Sequence, residues 1–164
     1  TGADLDVMRP SILPNLVAAA KRNADRGYPD AGLFEVGPAY RDDSPSGQDA
    51  VAAGLRHGNS GPRHWRDQPA ATSVFDAKAD ACAVLASVGV PVDNLQIDAE
   101  APAWFHPGRS GTLRLGRVVL AYFGEIHPRI LRRIGDRGCV ARRGGGRAGV
   151  GMRHLLCRAA APER

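Results

Sequence analysis

At 164 residues the chain can hold one domain with its own core, and its apolar and charged fractions, 43% and 24%, are ordinary for a folded protein. No run of eighteen apolar residues occurs, which excludes a transmembrane helix. Residues 137–164 carry seven arginines against one acid, Glu163, a net of +6, so the formal +5 of the whole chain leaves −1 for everything before them and excludes a nucleic-acid reading drawn from overall pI.

In chain order, residues 1–6 are polar and acidic, unlike a secretory signal, and read as the interior of a longer polypeptide. Met8-Arg9-Pro10-Ser11-Ile12-Leu13-Pro14 reads as an extended lead-in to a helix. Ser11 can serve as N-cap, and Pro14 falls in the first turn, where a missing N–H costs little. Leu13, Leu16, Val17, Ala20 and Ala24 recur at helical spacing until Gly27, with Lys21, Arg22, Asn23 and Arg26 on a solvated face. Residues 32–41 read as a strand with Phe34 and Val36 on one face and Leu33 and Glu35 on the other. Gly37-Pro38 marks a bulge or an edge there.

Residues 42–48 form a polar loop and residues 51–57 the return strand. In the loop of residues 59–69, Trp65 is expected to lay its ring over the core. A second helix is predicted over residues 76–88, with Asp76 as N-cap, a stripe of Ala79, Cys82, Ala83, Leu85 and Ala86, and Gly89 as its stop. Residues 95–99 alternate like a short strand.

Two His-Pro pairs then stand out, in Trp104-Phe105-His106-Pro107-Gly108-Arg109 and in Tyr122-Phe123-Gly124-Glu125-Ile126-His127-Pro128. Proline cannot donate to a ladder and biases the preceding residue toward extended backbone. Each pair is therefore expected to be a corner at which an extended run stops. Between them, residues 112–122 read as two strands meeting at Leu115-Gly116-Arg117. Pro128 opens a last short helix carrying Ile130, Leu131 and Ile134.

The order helix, strands, helix, strands, helix, with hairpin steps, predicts an α+β class: an antiparallel sheet flanked by helices. Residues 1–135 form this core domain. Residues 136–164 form an irregular Arg/Gly-rich tail without a period of 2 or 3.6, in which only residues 152–161 suit a brief helix.

Little of this pattern points to chemistry. Cys82, Cys139 and Cys157 form no C-x-x-C, which fits a reducing cytosol. The five histidines lack zinc-site spacing. Gly144-Gly145-Gly146-Arg147 is not a phosphate loop, and no Ser-His-Asp set or H-E-x-x-H is readable. His106 and His127 could act as acid and base, but no nucleophile is set beside them. The expectation is structural: His106, Pro107, Arg109, His127 and Pro128 build corners, with Arg109 in an ion pair. Glu35 could bind a substrate amine, and an edge position or pairing with Arg9 or Arg41 explains it as well. No catalytic, cofactor-binding or metal residue is assigned. Twenty arginines against two lysines suggest GC-rich coding.

Met8-Arg9-Pro10-Ser11-Ile12-Leu13-Pro14-Asn15-Leu16, Leu33-Phe34-Glu35-Val36-Gly37, Phe75-Asp76-Ala77-Lys78-Ala79-Asp80, Phe105-His106-Pro107-Gly108-Arg109-Ser110 and Phe123-Gly124-Glu125-Ile126-His127-Pro128 together resemble the β subunit of bacterial phenylalanine–tRNA ligase. The likeness runs in order over about residues 6–134. It implies the catalytic-like core module of that subunit, a catalytically degenerate class II aminoacyl-tRNA synthetase fold. Arg41 inherits no ATP role, because the acid and arginine that hold ATP are not reproduced as a set.

The resemblance further implies a cytoplasmic ligase that attaches phenylalanine to tRNA(Phe). ATP and magnesium serve the holoenzyme and none is held here. The partner is an α subunit in an (αβ)2 heterotetramer, with no membrane involved. The stripe Leu13, Leu16, Val17 and Ala20 is the candidate subunit interface, on the expectation that it leaves an exposed apolar patch. The family pattern breaks near Gly135, where another strand is due, so the tail is expected to be a frame-shifted or truncated product. The alternative is a free-standing synthetase-like paralogue acting as a binding or regulatory module, its Arg-rich tail contacting nucleic acid.

Overall fold

The periodicities above can bury their apolar sides only against one another, and a single sheet lets them do so on two faces. The computed structural model describes residues 8–61, 65, 66, 69–138 and 153–157. In chain order its elements are helix α1 (Leu13–Asp25), strands β1 (Ala31–Tyr40) and β2 (Gln48–His57), helix α2 (Val74–Ser87), strands β3 (Gln96–Asp98), β4 (Phe105–Leu115) and β5 (Val118–Ile126), helix α3 (Pro128–Gly138) and strand β6 (Arg153–Cys157). The six strands form one sheet in the order β1-β2-β6-β5-β4-β3, and every pairing is antiparallel.

Strand residues alternate between faces. Ala53 and Leu55 of β2 pack with Ile12, Leu13, Leu16, Val17 and Ala20 at α1, joined by Ile126 and, from α3, Ile130 and Leu131. Ala52, next to Ala53, packs on the other side, where Ala77, Ala81 and Leu85 of α2 meet Leu113, Ala121 and Phe123. The two helices end alike. Gly27 and Gly89 take φ of +91° and +84°. Their N–H groups donate to Ala24 and Ala86, and the next N–H groups, of Tyr28 and Val90, donate to Asn23 and Leu85. This closure needs left-handed backbone, which glycine adopts without a Cβ clash.

Several expectations need correction. The N-cap of α1 is Ile12, not Ser11. Ser11 Oγ still accepts a hydrogen bond from Leu13 N–H at 3.2 Å, but Ile12 is fully buried, so a core side chain anchors the helix start. Helix α2 starts at Val74 with Ser73 as N-cap. Asp76 lies three residues further in, where its carboxylate accepts bonds from Ser73 N–H and Ser73 Oγ, a reciprocal cap. Those bonds hold the Asp76 carboxyl below its ordinary value. The buried side of α2 is Ala77, Ala81 and Leu85, whereas Ala79, Ala83 and Ala86 are exposed. Gly37-Pro38 makes no bulge: the β1–β2 register is continuous from Ala31↔His57 to Tyr40↔Gln48. Strand β1 is an edge, which accommodates a residue without an N–H. Trp65 is 89% exposed and is not packed into the core formed by the described residues.

The expected boundary at residue 135 falls inside α3, and of the helix expected over residues 152–161 only residues 153–157 are described. Residues 153–157 instead make β6, which pairs with β2 on one side and β5 on the other. Two waiting strands offer backbone bonds on both sides, so an aperiodic sequence can complete the sheet there. The expectations for residues 139–152 and 158–164, including Gly144-Gly145-Gly146-Arg147, lie outside the described residues.

Candidate functional site

The two His-Pro segments converge. The chain leaves β5 through His127 and enters α3 at Pro128, so the second pair is a corner. His127 C=O accepts from Ile130 and Leu131 N–H. Its Nδ1 accepts from Arg129 N–H at 3.1 Å. His127 thus caps α3 with an imidazole nitrogen, which must be the unprotonated one. Its own N–H donates to Trp104 C=O at 2.8 Å, tying the corner to the approach of β4.

The first pair is not a corner. His106 and Pro107 lie within β4, where the register jumps from Phe105↔Ile126 to Ser110↔Gly124. Residues 106–109 form a bulge, with Gly108 at φ +78°. A bulge leaves residues unpaired, so proline fits inside the strand's span without forfeiting a ladder bond. His106 Nδ1–H donates to Pro107 C=O at 2.6 Å, and Ser110 Oγ donates to His106 C=O at 3.0 Å. The His106 and His127 rings stack. Both Nδ1 atoms serve the local backbone.

Several charged residues pair with one another across the fold. Arg109 pairs with the buried Glu125 at 3.0 Å. Arg9 pairs with Glu35 at 2.5 Å and donates through Nε to Pro38 C=O. Arg41 pairs with Asp49. Arg56 of β2 forms a two-pronged bond with Asp80 of α2, at 2.5 and 2.8 Å. That fork raises the Arg56 pKa and joins sheet to helix. Arg114 pairs with Asp98 across β4 and β3. Buried His57 has no partner for Nδ1 among the described residues, and burial pushes its pKa down against the pull of Asp30. Among the described residues, no group of three His, Cys, Asp or Glu is arranged to hold a metal ion.

The candidate interface stripe needs correction too. Leu13, Leu16, Val17 and Ala20 are 7%, 6%, 3% and 0% exposed, so the chain covers them with its own β2 and α3. The apolar surface left open lies on the opposite face, where a trough of about 1380 Å³ is lined by Phe34, Val36, Ala52, Gly54, Val84 and Val88. Phe34 is 82% and Val36 70% exposed. Sequence reasoning put these two on one strand face. What it missed is that both stay largely exposed, with no covering element among the described residues.

Residues 1–140 match the family described as phenylalanyl tRNA synthetase beta chain CLM domain. The chain belongs to this family. It is 57% identical over 136 residues to the phenylalanine–tRNA ligase beta subunit of Rhodospirillum rubrum, covering 83% of this chain and 17% of that protein. Against the same subunit from Paramagnetospirillum magneticum it is 55% identical over 139 residues, covering 85% and 17%. For Brucella abortus the values are 52% over 143 residues, 84% and 18%. The chain therefore spans under a fifth of the length of these relatives. Among solved structures it is similar to a pyrrolysyl tRNA synthetase from Desulfitobacterium hafniense, at 19% identity and a TM-score of 0.57, covering 91% of this chain and 46% of that one. That likeness is one of fold, the class II synthetase sheet. Among the described residues, no helix is long and apolar enough to cross a membrane.

Proposed function

We propose that this chain is the structural core of a phenylalanine–tRNA ligase β subunit, a scaffold on which an α subunit docks. In the cytoplasmic (αβ)2 holoenzyme, ATP and magnesium serve the α subunit's reaction with phenylalanine and tRNA(Phe). This segment holds neither. Family membership supports the assignment to the β subunit. The observation that carries the scaffold role is the disposal of charge: Glu35, Asp49, Asp80, Asp98 and Glu125 are each bound to an arginine of the same fold. They are engaged in holding strands and helix together.

The docking surface we assign is the trough of Phe34, Val36, Val84 and Val88. An exposed apolar patch rimmed by polar groups is the usual mark of a protein interface. Co-expression with a bacterial α subunit tests this. The chain should co-purify with α, and Val36→Glu should abolish co-purification while leaving the chain's own melting temperature unchanged. Retention of α by the Val36→Glu chain would remove the trough from the interface. A chain that never retains α would remove the subunit role. In a full-length β polypeptide, the same substitution should abolish tRNA charging by the mixture.

A further inference from the structure

Strand β1 ends the sheet on one side, and its outer edge carries hydrogen-bonding groups that the fold does not use. Residues along such a strand alternate between bonding the neighbouring strand and pointing away from it. Two observations fix the alternation. Arg41 N–H donates to Gly47 C=O across the hairpin, whereas Tyr40 N–H donates outward to Arg9 C=O and Pro38 C=O accepts from Arg9 Nε. The even-numbered residues of β1 therefore face out. Arg9 takes the places at Tyr40 and Pro38. The N–H and C=O groups of Gly32, Phe34 and Val36 are left, without a partner among the described residues.

Edges are usually blunted by shortness, lysine, proline or a bulge. The opposite edge, β3, is three residues long. Over residues 31–37, β1 has no lysine, no proline and no break in register, and its single charge, Glu35, is held by Arg9. This stretch also matches itself. Two copies of one edge pair antiparallel about a two-fold axis, and opposite residues exchange both backbone bonds. With Phe34 set against Phe34 of a second copy, Gly32 meets Val36 and Val36 meets Gly32. The three open positions of each copy are then all filled, with about six hydrogen bonds. The isopropyl group of Val36 meets a residue without a side chain, and the two Phe34 rings lie side by side, a favourable cross-strand pair. The next position outward is Pro38, which has no N–H to give, so the pairing stops there.

We propose that β1 pairs antiparallel with β1 of a second copy of this chain, centred on Phe34, to make one sheet continuous across two chains. The contact uses the backbone edge, leaves the face of the trough open and does not rest on the ligase-subunit reading.

Sedimentation velocity on the full chain over a range of concentrations tests it. A contact of this size gives a reversible dimer, so the apparent mass should climb from one chain toward two. Phe34→Lys sets like charges directly opposite at the axis and should raise the dissociation constant roughly tenfold or more. Val84→Glu, on the far wall of the trough, should leave the dimer intact. Oxidative cross-linking reads the register. Opposite α-carbons in a bonded pair lie about 5.5 Å apart, within disulfide reach, so Phe34→Cys should link to itself, with the 34–34 peptide identified by mass. Val36→Cys, about 13 Å from its own copy along the strand, should not. Deleting residues 1–7 should leave the association unchanged. A parent chain that stays monomeric throughout overturns the proposal, as does a Phe34→Lys variant that dimerises like the parent. Loss of the dimer in Val84→Glu alone would make the trough the self-contact, a 36–36 link would mean another register, and association that appears only after residues 1–7 are removed would mean the edge is covered from within. Each of these three outcomes also overturns it.

Discussion

The imidazoles of His106 and His127 stack with ring centroids 6.0 Å apart and planes 21° apart. Twenty-one positions separate them in the chain. The stack joins a bulge inside one strand to the cap of a helix, so the two His-Pro pairs form one structural unit.

His127→Ala removes the nitrogen that accepts from Arg129 N–H. Loss of a side-chain cap costs about 1 kcal/mol, and urea unfolding at neutral pH should give a loss of that order. His127→Asn, which supplies another acceptor, should recover most of it. An alanine variant as stable as the parent would deny the capping role.

Leu16→Ala separates core from interface. Leu16 is buried among Leu13, Val17, Leu55 and Ile126, and truncating a buried leucine costs about 2–5 kcal/mol. The melting temperature of the chain by itself should fall sharply. An unchanged melting temperature, with loss only of partner binding, would restore the stripe to an interface.

Gly124→Ala tests the join of β4 and β5. A Cβ at Gly124 would lie 2.5 Å from Ser110 Cβ and 2.9 Å from Arg109 O. Much of that contact is backbone and cannot swing aside, so overpacking of about 1–3 kcal/mol is expected. Gly116→Ala, at the hairpin tip, meets no neighbouring atom but takes a residue at φ +61°. Its effect should be strain alone, read as a smaller shift in the urea midpoint.

His57 makes stability depend on pH. Burial lowers its pKa in the fold, so the unfolded chain takes up the proton first as pH falls. The contribution is fully present above the ordinary imidazole value of about 6.5 and is lost as pH drops through the folded value. Comparing urea midpoints at pH 7.5 and 5.5, the parent should lose more stability than His57→Gln. Equal losses would show that His57 does not titrate differently on folding.

Much of this was legible in the chain because it depends on neighbours in sequence. Helical spacing marked Leu13, Leu16, Val17 and Ala20, Gly27 and Gly89 marked helix ends, and Leu115-Gly116-Arg117 marked the hairpin. Five ordered blocks, two of them around the His-Pro pairs, carried the resemblance to the ligase β subunit. What a side chain meets across the fold was not legible. An apolar stripe looks the same whether β2 and α3 cover it or a partner does, and only the fold shows that Phe34 and Val36 stay largely exposed. Pro107 marks a break in pairing, but only the register with β5 decides between a corner and a bulge. Arg56 and Asp80, Arg109 and Glu125, and Arg114 and Asp98 become ion pairs only when β2 meets α2, β4 meets β5 and β4 meets β3. Residues 153–157 join the sheet because β2 and β5 stand ready on either side, a vacancy created by the rest of the chain. Local periodicity and turn chemistry therefore determined most of the elements, and the ordered motifs carried the family resemblance, while burial, register and charge pairing, which act between distant residues, were decided only by the tertiary structure.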